Sequence, residues 1–131
     1  GIQKLNNKER KIRAFYKKVL RLCNGEKAIS EGAFFDLMYV NYHNLNPNKQ
    51  YLYLRHYENE TLLIAVNFDS QDATVYADIP QHAFDFLKID SGTYFMKELI
   101  SGKQKTVEFS SNAKFELHIP AHNGVVWKIV K

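Results

Sequence analysis

Gln50-Tyr51-Leu52-Tyr53-Leu54-Arg55-His56-Tyr57, then Glu58-Asn59-Glu60, then Thr61-Leu62-Leu63-Ile64-Ala65-Val66-Asn67-Phe68: the fold is decided in this stretch. Its first part alternates at the period of a strand, with Leu52, Leu54 and His56 on one face and Tyr51, Tyr53 and Tyr57 on the other. Its second part is apolar on both faces from Leu62 to Val66. Such a run is expected as a central strand covered on each side. The short polar segment between them predicts a hairpin.

Working outward, the same grammar continues in both directions. Ala33 to Tyr39 reads as a strand, and Asn44 to Asn48 as a loop of turn residues. Asp69 to Asp72 is a turn before a strand from Ala73 to Ile79. Pro80 to Leu87 does not alternate and is read as containing a short helical turn. Gly92 opens a strand over Thr93 to Ile100, and Ser101-Gly102-Lys103 turns the chain into Thr106 to Phe109. Phe115, Leu117 and Ile119 alternate with Glu116 and His118; after the turn Pro120 to Gly124, Val125, Trp127 and Ile129 form a last inward face. About eight short strands separated by polar turns predict a mainly β chain, an antiparallel β-sandwich.

One α-helix precedes the strands. Asn6 followed by Glu9 resembles a capping box, and Ile12, Phe15, Tyr16, Val19, Leu20, Leu22 and Cys23 recur at helical spacing up to the stop Asn24-Gly25. Charge divides at the same place. Residues 1–27 carry nine Lys or Arg against Glu9 and Glu26, whereas residues 28–131 carry nine against twelve acids. The β portion is therefore mildly acidic, which argues against nucleic acid as its partner. The basic helix face is read as solvated. No apolar run approaches the roughly 20 residues of a membrane span. Cys23 is the single cysteine, so an internal disulfide is impossible, and it reads as a small core residue.

Four passages, taken together, resemble the end of an alpha-amylase family glycoside hydrolase. The first is Phe15-Tyr16-Lys17-Lys18-Val19-Leu20-Arg21-Leu22 with the exit Ala28-Ile29-Ser30-Glu31-Gly32. The second is Leu52 to Tyr57 followed by Leu62 to Phe68, ending on Asn67-Phe68 before a turn. Glu98-Leu99-Ile100-Ser101-Gly102 is similar to the family's "DLLTG", and Leu117 to Trp127 to its "L.LPP.s.vvl" passage. The chain departs from the family pattern at Cys23, Lys27 and Ile100-Ser101. The resemblance implies a Greek-key sandwich of the domain C type over 28–131. It also implies that residues 1–27 are the last helix of a (β/α)8 barrel lying outside this sequence. By the same resemblance the parent would be a retaining hydrolase or transferase of α-glucosidic bonds in starch-like glucans. This part of it would be a stabilising cap without catalysis or cofactor.

Glycoside hydrolysis needs two carboxyl groups facing each other across the scissile bond. In the resembled family they belong to barrel strand ends, so no catalytic residue carries over. Glu58, Glu60, Asp69, Asp72, Asp78 and Asp90 read as solvated groups of turns and outer faces. His118 and His122 have a chelating spacing only on a helix, and Pro120 stands between them. Asp69 and Asp72 lack the clustered oxygens of a Ca²⁺ site, so no metal is expected.

The tyrosines remain. Tyr51, Tyr53 and Tyr57 share one strand face, with Tyr39, Tyr42 and His43 just before them. Amphipathic rings of this kind serve interfaces, here towards the barrel or the helix, and they also serve as platforms for sugars. Trp127 alternates with apolar neighbours and reads as core. The expected partners are thus the barrel in cis and an α-glucan, with neither nucleic acid nor membrane. Self-association through the orphaned helix is expected of the isolated chain. The competing reading is a stand-alone carbohydrate-binding module using exposed tyrosines.

Overall fold

The computed structural model describes residues 7–25, 33–58 and 60–130. Asn6 of the proposed capping box, the Ala28–Gly32 passage, Asn59 in the hairpin turn and the side chains of Leu20, Leu22 and Cys23 lie outside the described residues. Helix α1 runs Asn7–Gly25, and the residues after its expected stop lie outside the described ones. Eight strands follow: β1 Ala33–Asp36, β2 Gln50–Tyr57, β3 Glu60–Asn67, β4 Ala73–Ala77, β5 Gly92–Glu98, β6 Gln104–Phe109, β7 Phe115–Ile119 and β8 Asn123–Val130. A short helix α2, Gln81–Leu87, sits where alternation failed.

Six strands form one antiparallel sheet in the order β1-β2-β3-β8-β5-β6, and β4 pairs with β7 in a second. The β2–β3 hairpin pairs Leu52 with Ala65 and Leu54 with Leu63, and it closes with Tyr57 opposite Glu60, so β3 begins one residue before the expected Thr61. β3 lies between β2 and β8 and is buried from Thr61 to Asn67. Its two faces belong to two cores. Leu63 and Ala65 join Leu52, Leu54, Met96, Val125, Trp127 and Ile129 against β4, β7 and α2. Leu62, Ile64 and Val66 join Val126, Phe15 and Val19 under α1. The strand is apolar on both sides because each side meets a different layer.

Three strands stop earlier than hydropathy suggests, each for a polar reason. β1 ends at Asp36, not Tyr39, because Asp36 Oδ1 accepts the Met38 N–H at 2.7 Å. β4 ends at Ala77 because the buried Asn41 side chain takes over Asp78: Oδ1 accepts its N–H at 2.7 Å and Nδ2 donates to its carbonyl at 2.9 Å. β5 ends at Glu98, whose carboxylate accepts the N–H groups of Ile100, Ser101 and Val126 at 3.2, 2.7 and 2.9 Å. Asn67 does similar work at the end of β3. Its Oδ1 accepts from Gln50 and Asp69, and its Nδ2 donates to the carbonyls of Gln71 and Ile119.

Candidate functional site

α1 lies on the outward face of the six-stranded sheet and is seated by one close approach. A Cβ on Gly124 would stand 2.4 Å from Phe15 Cζ and 2.5 Å from the Ala65 carbonyl oxygen. Glycine at 124 is therefore the seat of the Phe15 ring, which is buried with Val19 over β3 and β8. At the other end of the face, Leu99 and Ile100 lean onto the helix, and with Lys18 and Arg21 they line a hollow of about 300 Å³. The cations of the helix (Arg10, Lys11, Arg13, Lys17, Lys18 and Arg21) are exposed.

Tyr51, Tyr53 and Tyr57 all point to the α1 side of the sheet and are half-buried. Tyr53 and Tyr57 pack against the helix-side core. The Tyr51 ring lies 5.3 Å from Tyr53, and burial, then Asp36 and Tyr16, raise its phenol above the ordinary 10.0. The helix covers the middle of this face and leaves its flanks bare. Phe34 on β1 is 44% exposed, Tyr16 on α1 41% and Phe95 on β5 39%. Phe34 stacks at 5.2 Å on Tyr53 and holds the Arg55 guanidinium 5.9 Å from its centroid. Six rings, bare or half-covered, thus share the face that carries α1.

The acids have structural or solvated positions. Glu98 is committed to three backbone donors, Asp72 accepts the Ala121 N–H at 2.8 Å, and Asp69 caps Ser70 in its own turn. Glu60 pairs with Lys128 at 3.0 Å. Asp78 pairs with Lys114 at 2.9 Å, and that hydrogen bond outweighs burial to hold its carboxyl below the usual range. Glu58 and Asp90 stand exposed on the rim of a cavity of about 380 Å³ whose wall includes His56, Thr61 and Tyr94. An open, hydrated rim lacks the apolar enclosure that turns a carboxyl group into a general acid. Burial lowers the His56 imidazole below its ordinary value, while its Nδ1 lies 2.7 Å from Thr61 Oγ1.

His118 is exposed on β7 between Thr74 and Glu116, whereas His122 is buried in the β7–β8 turn with φ 51°. Among the described residues no cluster of three metal-ligating side chains occurs. Nor is any helix among them long and apolar enough to cross a membrane. Trp127 is core, as its alternation implied, with Lys105 Nζ 4.7 Å over its ring. Periodicity signalled the shared face of Tyr51, Tyr53 and Tyr57. It did not signal Gly124, Phe34 or Phe95, whose importance depends on where α1 lands.

Two antiparallel sheets face to face, with an amphipathic helix on the outer side of the larger one, define an all-β domain of the sandwich class. Residues 39–130 match the family "Alpha amylase, C-terminal all-beta domain", and the chain belongs to that family. Solved structures place it on the same fold. The alpha-amylase of Geobacillus thermoleovorans, complexed with acarbose, superposes with TM-score 0.61 at 15% identity, over 84% of this chain and 21% of that one. An Anoxybacillus alpha-amylase gives 0.58 at 20%, over 89% and 22%. Trehalose-6-phosphate hydrolase of Bacillus licheniformis gives 0.51 at 22%, over 88% and 18%. This chain thus spans about a fifth of each of these enzymes. No curated protein matches it in sequence.

Proposed function

We propose that the chain caps and stabilises a catalytic (β/α)8 barrel in cis, docking it on the α1-bearing face. In this reading the segment 1–27 is the barrel's closing helix, and 28–131 is the domain it anchors. The carrying observation is the unevenly covered face: Phe34, Tyr16 and Phe95 stay open around a helix that buries everything beneath it. Apolar patches rimmed by polar groups mark interaction sites. Tyr51, Tyr53 and Tyr57 serve that interface as half-buried amphipathic rings. The parent acts on α-glucosidic bonds in starch-like glucans. Support for that comes from the family and from the acarbose bound to one structural neighbour.

The test separates cap from catalyst. The barrel expressed with its closing helix but without residues 28–131 is expected to melt well below the intact enzyme and to regain stability when the cap is supplied. The 131-residue chain alone is expected to leave maltooligosaccharides intact. A barrel equally stable without the cap, or turnover by the chain alone, would overturn the reading. Isolated, the chain is expected to self-associate through the uncovered rings, and sedimentation showing only monomer at high concentration would count against that.

A further inference from the structure

A second set of rings lies on the opposite side of the sheet from α1. Phe35 pairs with Leu54 and so faces the inter-sheet core, whereas its neighbour Phe34 pairs with Arg55 on the helix side. From Phe35 the rings run in a row. Its centroid is 5.3 Å from that of His82 and 5.9 Å from that of Phe86, and His82 is 5.7 Å from Tyr39. The ends of the row are open, Tyr39 at 54% and Phe86 at 61%. The row is also fixed. Phe35 is rooted in the core, His82 and Phe86 ride on α2, and the Tyr39 hydroxyl is hydrogen-bonded to His82 Nε2.

We propose that Tyr39, His82, Phe35 and Phe86 form a binding platform for an α-glucan chain, separate from the barrel-docking face. This rests on the reading of the parent as an α-glucan enzyme. The chemistry favours this occupant. Ring faces receive the C–H faces of pyranoses, and sugar hydroxyls need acceptors beside them. Gln81 and Asp85 flank His82 and Phe86 on α2. Gln81 is itself oriented by Asp85 at 3.0 Å and Ser111 at 3.1 Å. A row of rings would also suit single-stranded nucleic acid, but that requires a cationic groove, and the groups flanking these rings are acidic or amide. The placement matters as well. A barrel covering the α1 side leaves this row open, so a long substrate could be held while its end is processed.

The test is amide-resolved NMR titration of the 131-residue chain with maltoheptaose and, separately, cellohexaose. Maltoheptaose is expected to shift resonances of β1, Met38–Val40 and α2, with a dissociation constant on the order of 1 mM. Tyr39→Ala and Phe86→Ser, both at exposed rings, are expected to weaken binding about fivefold or more while leaving the remaining spectrum folded. Absence of shifts, equal affinity for cellohexaose, or shifts confined to Tyr51, Tyr53 and Tyr57 would each overturn the platform. None of these outcomes touches the proposed parent activity, which is read separately by maltooligosaccharide hydrolysis in the intact enzyme.

Discussion

Replacing Gly124 by alanine should loosen α1 from the sheet, and the structure fixes the size of the effect. The new methyl would lie 2.4 Å from Phe15 Cζ, 2.7 Å from Cε1 and 2.5 Å from the Ala65 carbonyl oxygen. A ring edge can swing aside, but the carbonyl belongs to β3, which is locked in register with β8 through Ala65–Val125 and Val66–Gly124. Overpacking of this kind costs about 1–3 kcal/mol. Alanine recovers about 0.4–1 kcal/mol by restricting the unfolded chain. The net expectation is a loss of about 1–2 kcal/mol. With an unfolding entropy of about 2.1 cal/mol/K per residue over 131 residues, that lowers Tm by roughly 4–7 °C. Urea unfolding followed by circular dichroism gives the free energy directly. Phe15→Ala, which empties the seat, should cost about 3–5 kcal/mol. In the double variant the ring clash is gone, so the combined loss should fall short of the sum by about 1 kcal/mol. A neutral or stabilising Gly124→Ala, or strict additivity with Phe15→Ala, would refute the seat.

Four further outcomes follow from the polar ties. Asn67→Ala strands two carbonyls, the Gln50 amide and the Asp69 N–H in a buried place, and should cost about 3 kcal/mol in the same urea assay. Glu98→Gln turns an acceptor of three N–H groups into a group with an N–H of its own, and should cost about 2 kcal/mol, with rapid amide exchange appearing at Ile100 and Ser101. Because burial lowers the His56 pKa, the unfolded chain binds the extra proton, so stability should fall as pH drops below about 6.5 and level off beneath the folded value. His56→Gln should flatten that slope in pH-dependent melts. The depressed Asp78 carboxyl contributes stability above its ordinary 3.8 that disappears at lower pH. With both partners about half exposed, Lys114→Ala should cost under about 1 kcal/mol.

The architecture was legible where hydropathy alone decides. Leu62 to Val66 announced a strand with two covered faces, and Gln50 to Tyr57 announced its partner; the register, with Tyr57 opposite Glu60, was not legible. The turn residues placed the remaining strands and left α2 as the one segment that does not alternate. Strand ends were less legible, because Asp36, Asn41 and Glu98 stop β1, β4 and β5 by capturing backbone groups. Such bonds depend on a few atoms, which a pattern of polar and apolar letters does not resolve. The aromatic sites were half legible. Alternation put Tyr51, Tyr53 and Tyr57 on one face, but only the strand pairing shows which of Phe34 and Phe35 faces the helix. Gly124 reads as an ordinary turn-end glycine until Phe15 is seen above it.

The account stands or falls on whether a second body covers the α1 face. Hydroxyl-radical footprinting of the intact gene product beside this 131-residue chain measures that side chain by side chain. The account predicts that Tyr16, Phe34 and Phe95 are oxidised readily in the chain and protected in the intact enzyme, while Tyr39 and Phe86 react equally in both. Equal oxidation of Phe34, Tyr16 and Phe95 in the two would contradict it.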